Sequence, residues 1–145
     1  MHKILFICQG NICRSPMAEF LLKDIVNKRG LADAFEIASA ATSREEIGNP
    51  VHYGTRNKLA QFGISVVGKH AVQVTKRDYE HYDLLLVMDS NNIRNLRRVI
   101  GEDTQNKVHL LLDYTERKAW YTGDFDVTYN DIMEGLAGLL QQLGY

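Results

Sequence analysis

The chain has 145 residues, with 17 basic against 18 acidic side chains, 45% hydrophobic residues and 24% charged. This is the make-up of one ordinary soluble domain spanning residues 1–145, and it excludes disordered and fibrous classes. A formal net charge of -1 gives no general electrostatic hold on nucleic acid or an anionic membrane surface, so an anionic ligand has to be bound locally.

The two cysteines, Cys8 and Cys13, are too few for a disulfide framework and lack the paired spacing of a structural zinc site, which points to a reducing compartment. The apolar run from Ile4 to Cys8 is too short for a secretory leader, and no later run approaches the roughly 18 apolar residues of a membrane span. The expectation is a cytoplasmic protein without a membrane partner.

Apolar runs alternate with helical patterns, the arrangement of a parallel sheet covered by helices. The first run, residues 4–7, is continuously apolar and reads as a buried strand. A helix is expected to open at Ser15-Pro16, with Pro16 in its first position and Met17, Leu21 and Ile25 on one face. Residues 35–38 read as a strand, 52–62 as a helix closed by Gly63, and Thr75 to Asp78 as a capping box opening a short helix. Residues 84–88 form another apolar strand, after which Ser90 is expected to cap a helix carrying Ile93, Leu96 and Ile100. A strand over 108–112 and a helix over 127–143 complete the chain, the latter with a broad stripe from Tyr129 to Leu143. The fold class is therefore α/β, a three-layer domain with a four-stranded parallel sheet and helices on both faces.

In such sheets ligands bind beyond the carboxyl ends of the strands. The turn after the first strand reads Cys8-Gln9-Gly10-Asn11-Ile12-Cys13-Arg14-Ser15-Pro16. Gly10 and Asn11 tolerate unusual backbone angles, and a helix follows immediately, so the loop can curl its N–H groups inward into an anion nest. Arg14 adds a planar fork matched to two phosphate oxygens, and the same positive field favours a thiolate at Cys8, the form that attacks phosphorus.

This loop resembles that of the low-molecular-weight protein-tyrosine phosphatases, Cys-x5-Arg followed by Ser or Thr. The resemblance extends through Met17-Ala18-Glu19, Ser39-Ala40-Ala41-Thr42, Gln73-Val74-Thr75, Tyr82-Asp83-Leu84, Met88-Asp89 and Tyr121-Thr122-Gly123-Asp124-Phe125. It implies a phosphatase that hydrolyses phosphotyrosine in proteins through a phosphocysteine intermediate, with Cys8 as nucleophile and Arg14 on the phosphoryl oxygens. Gln9, Gly10, Asn11, Ile12, Cys13 and Ser15 would complete the phosphate-binding loop, Ser15 bonding the thiolate and Ser39 supporting Asn11 from behind. Family habit suggests a bacterial tyrosine kinase among the substrates, and a monomer or weak homodimer.

The chain departs from the family pattern in its second loop, where an Asp normally protonates the leaving phenol. Aligned on Tyr121 to Phe125, that position holds Lys118, with Asp124 as the other candidate acid, set against a simple role capping the last helix. Trp120 and Tyr121 are expected to wall a deep slot that admits an aromatic phosphate. The family's His-basic-Ala-Arg-Gln pattern becomes Lys69-His70-Ala71-Val72-Gln73, and Arg44-Glu45-Glu46 replaces an aromatic. An intact loop without an acid also fits a weakly active phosphotyrosine-binding or trapping module. Thiol-linked arsenate reduction is a third reading, which the lack of any cysteine after Cys13 disfavours. No metal or organic cofactor is implied, because the five histidines show no ligand spacing.

Overall fold

Ile4, Leu5, Phe6 and Ile7 are all buried, which requires cover on both faces of the strand that carries them. In the computed structural model, which describes residues 1–115 and 125–145, this strand is β1, His2–Cys8. It lies in a four-stranded parallel sheet with β2 (Phe35–Ala41), β3 (Leu84–Val87) and β4 (Val108–Leu110), in the order β2-β1-β3-β4. The helices are α1 (Arg14–Lys28), α2 (Tyr53–Ala60), α3 (Lys76–His81), α4 (Ser90–Ile100) and α5 (Phe125–Gln142).

Strand alternation divides the core in two. Ile4, Phe6 and Cys8 face a cluster containing Met17 and Leu22 of α1, Leu59 of α2, and Ile132 and Leu136 of α5. Leu5 and Ile7 face Tyr79 of α3 and Leu96 of α4. The expected three-layer α/β architecture is thus present, and Cys8 ends its strand on the α1 side.

Several boundaries differ from expectation for local reasons. The first helix begins at Arg14, so Pro16 is its third residue rather than its first; no N–H of the opening turn has an intrahelical acceptor, and proline is tolerated there too. His52 stands outside α2 as its cap, Nδ1 accepting from the Gly54 N–H at 3.2 Å, and the helix ends at Ala60 before Gly63 turns left-handed at φ 72. Thr75 makes the expected capping box with Asp78. The cap of α4 is Asp89, with Ser90 already helical.

The last strand stops at Leu110 instead of Leu112, because Leu111–Tyr114 wind into a 3-10 turn that still buries Leu111 and Leu112. Glycine makes this possible: a Cβ on Gly138 would lie 2.0 Å from the Tyr114 carbonyl oxygen, so only glycine lets α5 press this close to the turn. That helix begins at Phe125, ahead of the expected 127, and Asp126 in its first turn pairs with Lys58 of α2 at 2.6 Å. Its stripe packs as expected, with Ile132, Leu136, Leu139 and Leu140 fully buried.

Candidate active site

The loop from Gln9 to Cys13 is shaped mainly by where its carbonyls go. Thr42 N–H donates to the Cys8 carbonyl (3.1 Å), Ser43 N–H to that of Gln9 (3.1 Å), and His52 N–H to that of Ile12 (2.8 Å). The Cys13 carbonyl accepts from Met17 N–H inside α1 and from the Thr55 hydroxyl. In a trans peptide the next N–H points opposite to the carbonyl. Carbonyls turned outward to this frame therefore aim the N–H groups of Gln9, Gly10, Cys13 and Arg14 toward the loop's concave side. Asn11 closes the curl at φ 58, a left-handed angle that Asn tolerates better than most residues.

Cys8, 4% exposed, brings its sulfur into this concavity. The Ser15 hydroxyl lies 2.9 Å from Sγ, and the Asn11 N–H donates to Sγ at 3.3 Å. Behind the loop, Asn11 Nδ2 donates to Ser15 Oγ (2.8 Å) and Ser39 Oγ (2.9 Å), while its Oδ1 accepts from Val72 N–H (3.2 Å). Ser39 therefore stands where the resemblance placed it, against Asn11.

Arg14 opens α1, and its Nη2 donates to Asp89 Oδ2 at 2.9 Å, which ties the guanidinium to the head of α4. Cys13 has a different environment from Cys8. It is half-buried, and burial pushes its thiol above the ordinary value, with the Thr55 hydrogen bond and Arg14 opposing that rise. The rim is built by residues 43–50: the Ser43 hydroxyl donates to the Gln9 carbonyl (2.9 Å), and Glu46 packs so close to Gly10 that a Cβ there would meet its Cγ at 3.2 Å.

Lys118, Trp120, Tyr121 and Asp124 lie outside the described residues. Asp113, on the last 3-10 turn, is exposed. Among the described residues no group of three or more His, Cys, Asp or Glu is placed to hold a metal ion, and no helix is long and apolar enough to cross a membrane.

Sequence reading did not assign roles to Asp89, Glu19 or Lys69. Glu19 is 4% exposed on the buried face of α1, where it accepts from the Ser39 hydroxyl at 2.5 Å. Lys69 Nζ donates to the Ser39 carbonyl (2.9 Å) and lies 3.6 Å from Glu19 Oε1. The available signal was a carboxylate among Met17, Ala18, Leu21 and Leu22, since an ionisable side chain on an apolar helix face needs a partner.

The family model described as low molecular weight phosphotyrosine protein phosphatase matches residues 3–144. The low molecular weight protein-tyrosine-phosphatase YfkJ of Bacillus subtilis is 38% identical, the match covering 99% of this chain and 96% of that one. A mouse low molecular weight phosphotyrosine protein phosphatase is 36% identical, over 96% and 94% of the two chains. The crystal structure of YfkJ superposes with a TM-score of 0.90, covering 99% of this chain and 94% of that one. Vibrio vulnificus Wzb, solved with benzylphosphonate, superposes at 0.81 with 25% identity, over 97% and 98% of the chains. The loop geometry, the sheet order and these relatives converge, and the chain belongs to the low molecular weight phosphotyrosine protein phosphatase family.

Proposed function

We propose that the protein hydrolyses phosphotyrosine in proteins through a phosphocysteine intermediate. The observation that carries this reading is a cysteine sulfur held by a hydroxyl at 2.9 Å and a backbone N–H at 3.3 Å, inside a loop whose carbonyl contacts turn the N–H groups of Gln9, Gly10, Cys13 and Arg14 toward the same concavity. Such a cradle stabilises both a thiolate and a phosphate dianion. In the first step the Cys8 thiolate attacks phosphorus, an S–P bond forms, and the P–O bond to the phenol breaks. Arg14 and the loop N–H groups follow the equatorial oxygens into the transition state. In the second step water attacks the phosphocysteine, releasing inorganic phosphate and restoring the thiolate, whose return the Ser15 hydroxyl assists. The benzylphosphonate bound by the Vibrio relative, an aromatic ring one atom from a phosphonate, supports an aromatic phosphate as the substrate class.

The phenol leaves with a pKa near 10, so a positioned acid normally contributes about 10² to 10⁴ in rate. Lys118 in that place is a weak proton donor, and we assign it mainly to attracting the dianion, with Trp120 and Tyr121 walling the slot. Both thiols are free, as suits a reducing cytoplasm.

One experiment tests the reading: turnover of an activated aryl phosphate and of a phosphotyrosine peptide by the wild type and by Cys8→Ser. The wild type should cleave the activated ester well and phosphotyrosine slowly. The variant should cleave neither yet still bind phosphate, since a hydroxyl keeps the shape without supplying a thiolate. Hydrolysis retained by C8S would overturn the nucleophile, and equal wild-type rates on the two substrates would overturn the role given to Lys118.

A further inference from the structure

Every ionisable side chain on α4 is an arginine. From Ser90 to Ile100 the helix carries Arg94, Arg97 and Arg98 and no acidic residue, on a chain whose net charge is -1. Arg94 and Arg98 stand four apart on one face, and all three arginines are exposed while Leu96 is buried. The carboxylates at the two ends of the helix are already engaged. Asp89 caps α4 through Oδ1 and holds Arg14 through Oδ2. Asp103, in the turn after α4, accepts from the Tyr79 hydroxyl (2.6 Å) and the Lys107 N–H (2.8 Å) through Oδ1, and from the Val108 N–H (3.0 Å) through Oδ2. Exposed Glu102 is the remaining acid of that turn, set against three arginines. Arg94 donates to the Asn91 side-chain oxygen, and among the described residues none of the three forms an ion pair.

Beside these arginines α4 leaves a notch against β4, the edge strand of the sheet. Its cavity of about 180 Å³ is lined by Ile93, Leu96, Ile100 and Val108, with Arg97 and Asp103 also in its walls. Ile93, Ile100 and Val108 are half-buried, so apolar surface remains there for one aliphatic side chain to cover. We propose that this face of α4 docks the phosphorylated protein itself: an acidic segment of the substrate, three to six residues from the phosphotyrosine, lays its carboxylates on Arg94, Arg97 and Arg98 and one aliphatic side chain in the notch. The proposal rests on the phosphotyrosine reading and adds a second contact to it.

The surface is continuous with the phosphate site, because Asp89 at the head of α4 holds Arg14. From Ser90 to Arg98 the helix rises about 12 Å, which an extended peptide spans in about four residues. Guanidinium groups pair with carboxylates through planar, two-pronged contacts. A peptide supplies such carboxylates and an aliphatic side chain at adjacent positions, whereas a nucleic acid has phosphates but no aliphatic group for the notch. The bland account is electrostatic: basic residues in the last turn complement the helix dipole. That covers Arg97 and Arg98, but neither Arg94 in the middle of the helix nor the notch.

The test is kcat/KM on synthetic phosphotyrosine peptides that differ only in a four-residue segment three to six positions from the phosphotyrosine. The segment is Glu-Glu-Leu-Glu, Gly-Ser-Gly-Ser or Lys-Lys-Leu-Lys, placed on the N-terminal or on the C-terminal side. On one of the two sides the acidic peptide should exceed the neutral one by about tenfold, chiefly in KM, and the lysine peptide should fall below it. Raising the salt concentration should shrink the gain, and Glu-Glu-Ser-Glu should lose about threefold by leaving the notch empty. Arg94→Glu combined with Arg98→Glu should reverse the order of the acidic and lysine peptides while leaving turnover of a small aryl phosphate unchanged. A helix face that serves only the dipole would show no such reversal. Should the reversal variant fail to fold, Arg94→Gln and Arg98→Gln keep a good helix former and should each cut the acidic preference about threefold. An acidic preference untouched by these variants would overturn the docking surface. Peptides all cleaved at one rate would remove it and leave the phosphatase reading standing, whereas cleavage of none would remove the phosphatase reading and the docking surface with it.

Discussion

Two neighbouring parallel strands deliver the chain to a helix at the same edge of the sheet, and the two helix starts are built in opposite ways. After β3 the chain turns through Met88 and Asp89, and α4 seals itself. Asp89 Oδ1 accepts from Asn92 N–H at 2.9 Å, while Asn92 Oδ1 accepts from the N–H groups of Asp89 (3.1 Å) and Met88 (3.0 Å). After β1 the chain takes five residues, and Cys13 caps α1 with no side-chain bond to the first-turn N–H groups. Both starts carry the partial positive charge of a helix N-terminus. The first is neutralised by its own carboxylate, and the second is left for an anion supplied from outside. Asp89 joins the two, since Oδ1 caps α4 and Oδ2 holds Arg14.

The strongest way to break this contrast is to blunt the cation that completes the open start. Arg14→Lys keeps the charge but loses the fork that spans two phosphoryl oxygens, and kcat/KM on an aryl phosphate should fall by about 10² or more. A loss under about tenfold would show that the guanidinium does not follow the oxygens into the transition state.

Asp89→Asn separates the two jobs of the linking residue. Asn is as good a cap as Asp, so α4 should hold and stability should change by less than about 0.5 kcal/mol. The charge that orients Arg14 is gone, and kcat/KM should fall about tenfold with the loss concentrated in kcat. Asp89→Ala removes the cap as well and should cost about 1 kcal/mol in a denaturant melt. Equal stability losses in both variants would mean that the charge, and not the cap, fixes α4.

How far the sequence could be read follows the same division. The stretch from Cys8 to Pro16 was legible because strand end, loop and helix start are contiguous, so the local context of the Cys8–Arg14 spacing carries the geometry. The rest of its frame was not: the resemblance supplied Ser39, but Glu19, Lys69 and Asp89 come from separate parts of the chain and reach the loop and its support only once the sheet has formed. Ser90 and Asp89 are both good caps at adjacent positions, and the choice falls to Asp89 because Asn92 stands three residues after it and can return the bond. The run Leu110 to Leu112 illustrates another limit: buried leucines suit a strand or a tight turn equally, and what selects the turn is the close approach of α5 at Gly138, about 25 residues further on.

The smallest expected effect concerns Cys13, the residue at the cap of the open helix start. If the positive field acted mainly on the cap residue, that thiol would ionise readily; burial instead raises it, outweighing the help from Thr55 and Arg14. At the loop's concavity, by contrast, the Asn11 N–H donates to Cys8 Sγ at 3.3 Å and the Ser15 hydroxyl lies 2.9 Å from the same sulfur. Two measurements follow. With limiting iodoacetamide near neutral pH, peptide mapping should find Cys8 labelled well before Cys13. For stability the sign runs through the thiol's proton: below the unfolded value of 9.0 both states keep it, and above that value only the unfolded chain sheds it. The contribution of the buried thiol is thus complete at neutral pH and declines as pH rises through about 9 toward the higher folded value. Between about pH 7.5 and 9.5 the urea midpoint of the wild type should drop more than that of Cys13→Ala. Parallel declines, or Cys13 labelled first, would mean that the cap position shares the thiolate-stabilising field and that the two helix starts differ less than their hydrogen bonds indicate.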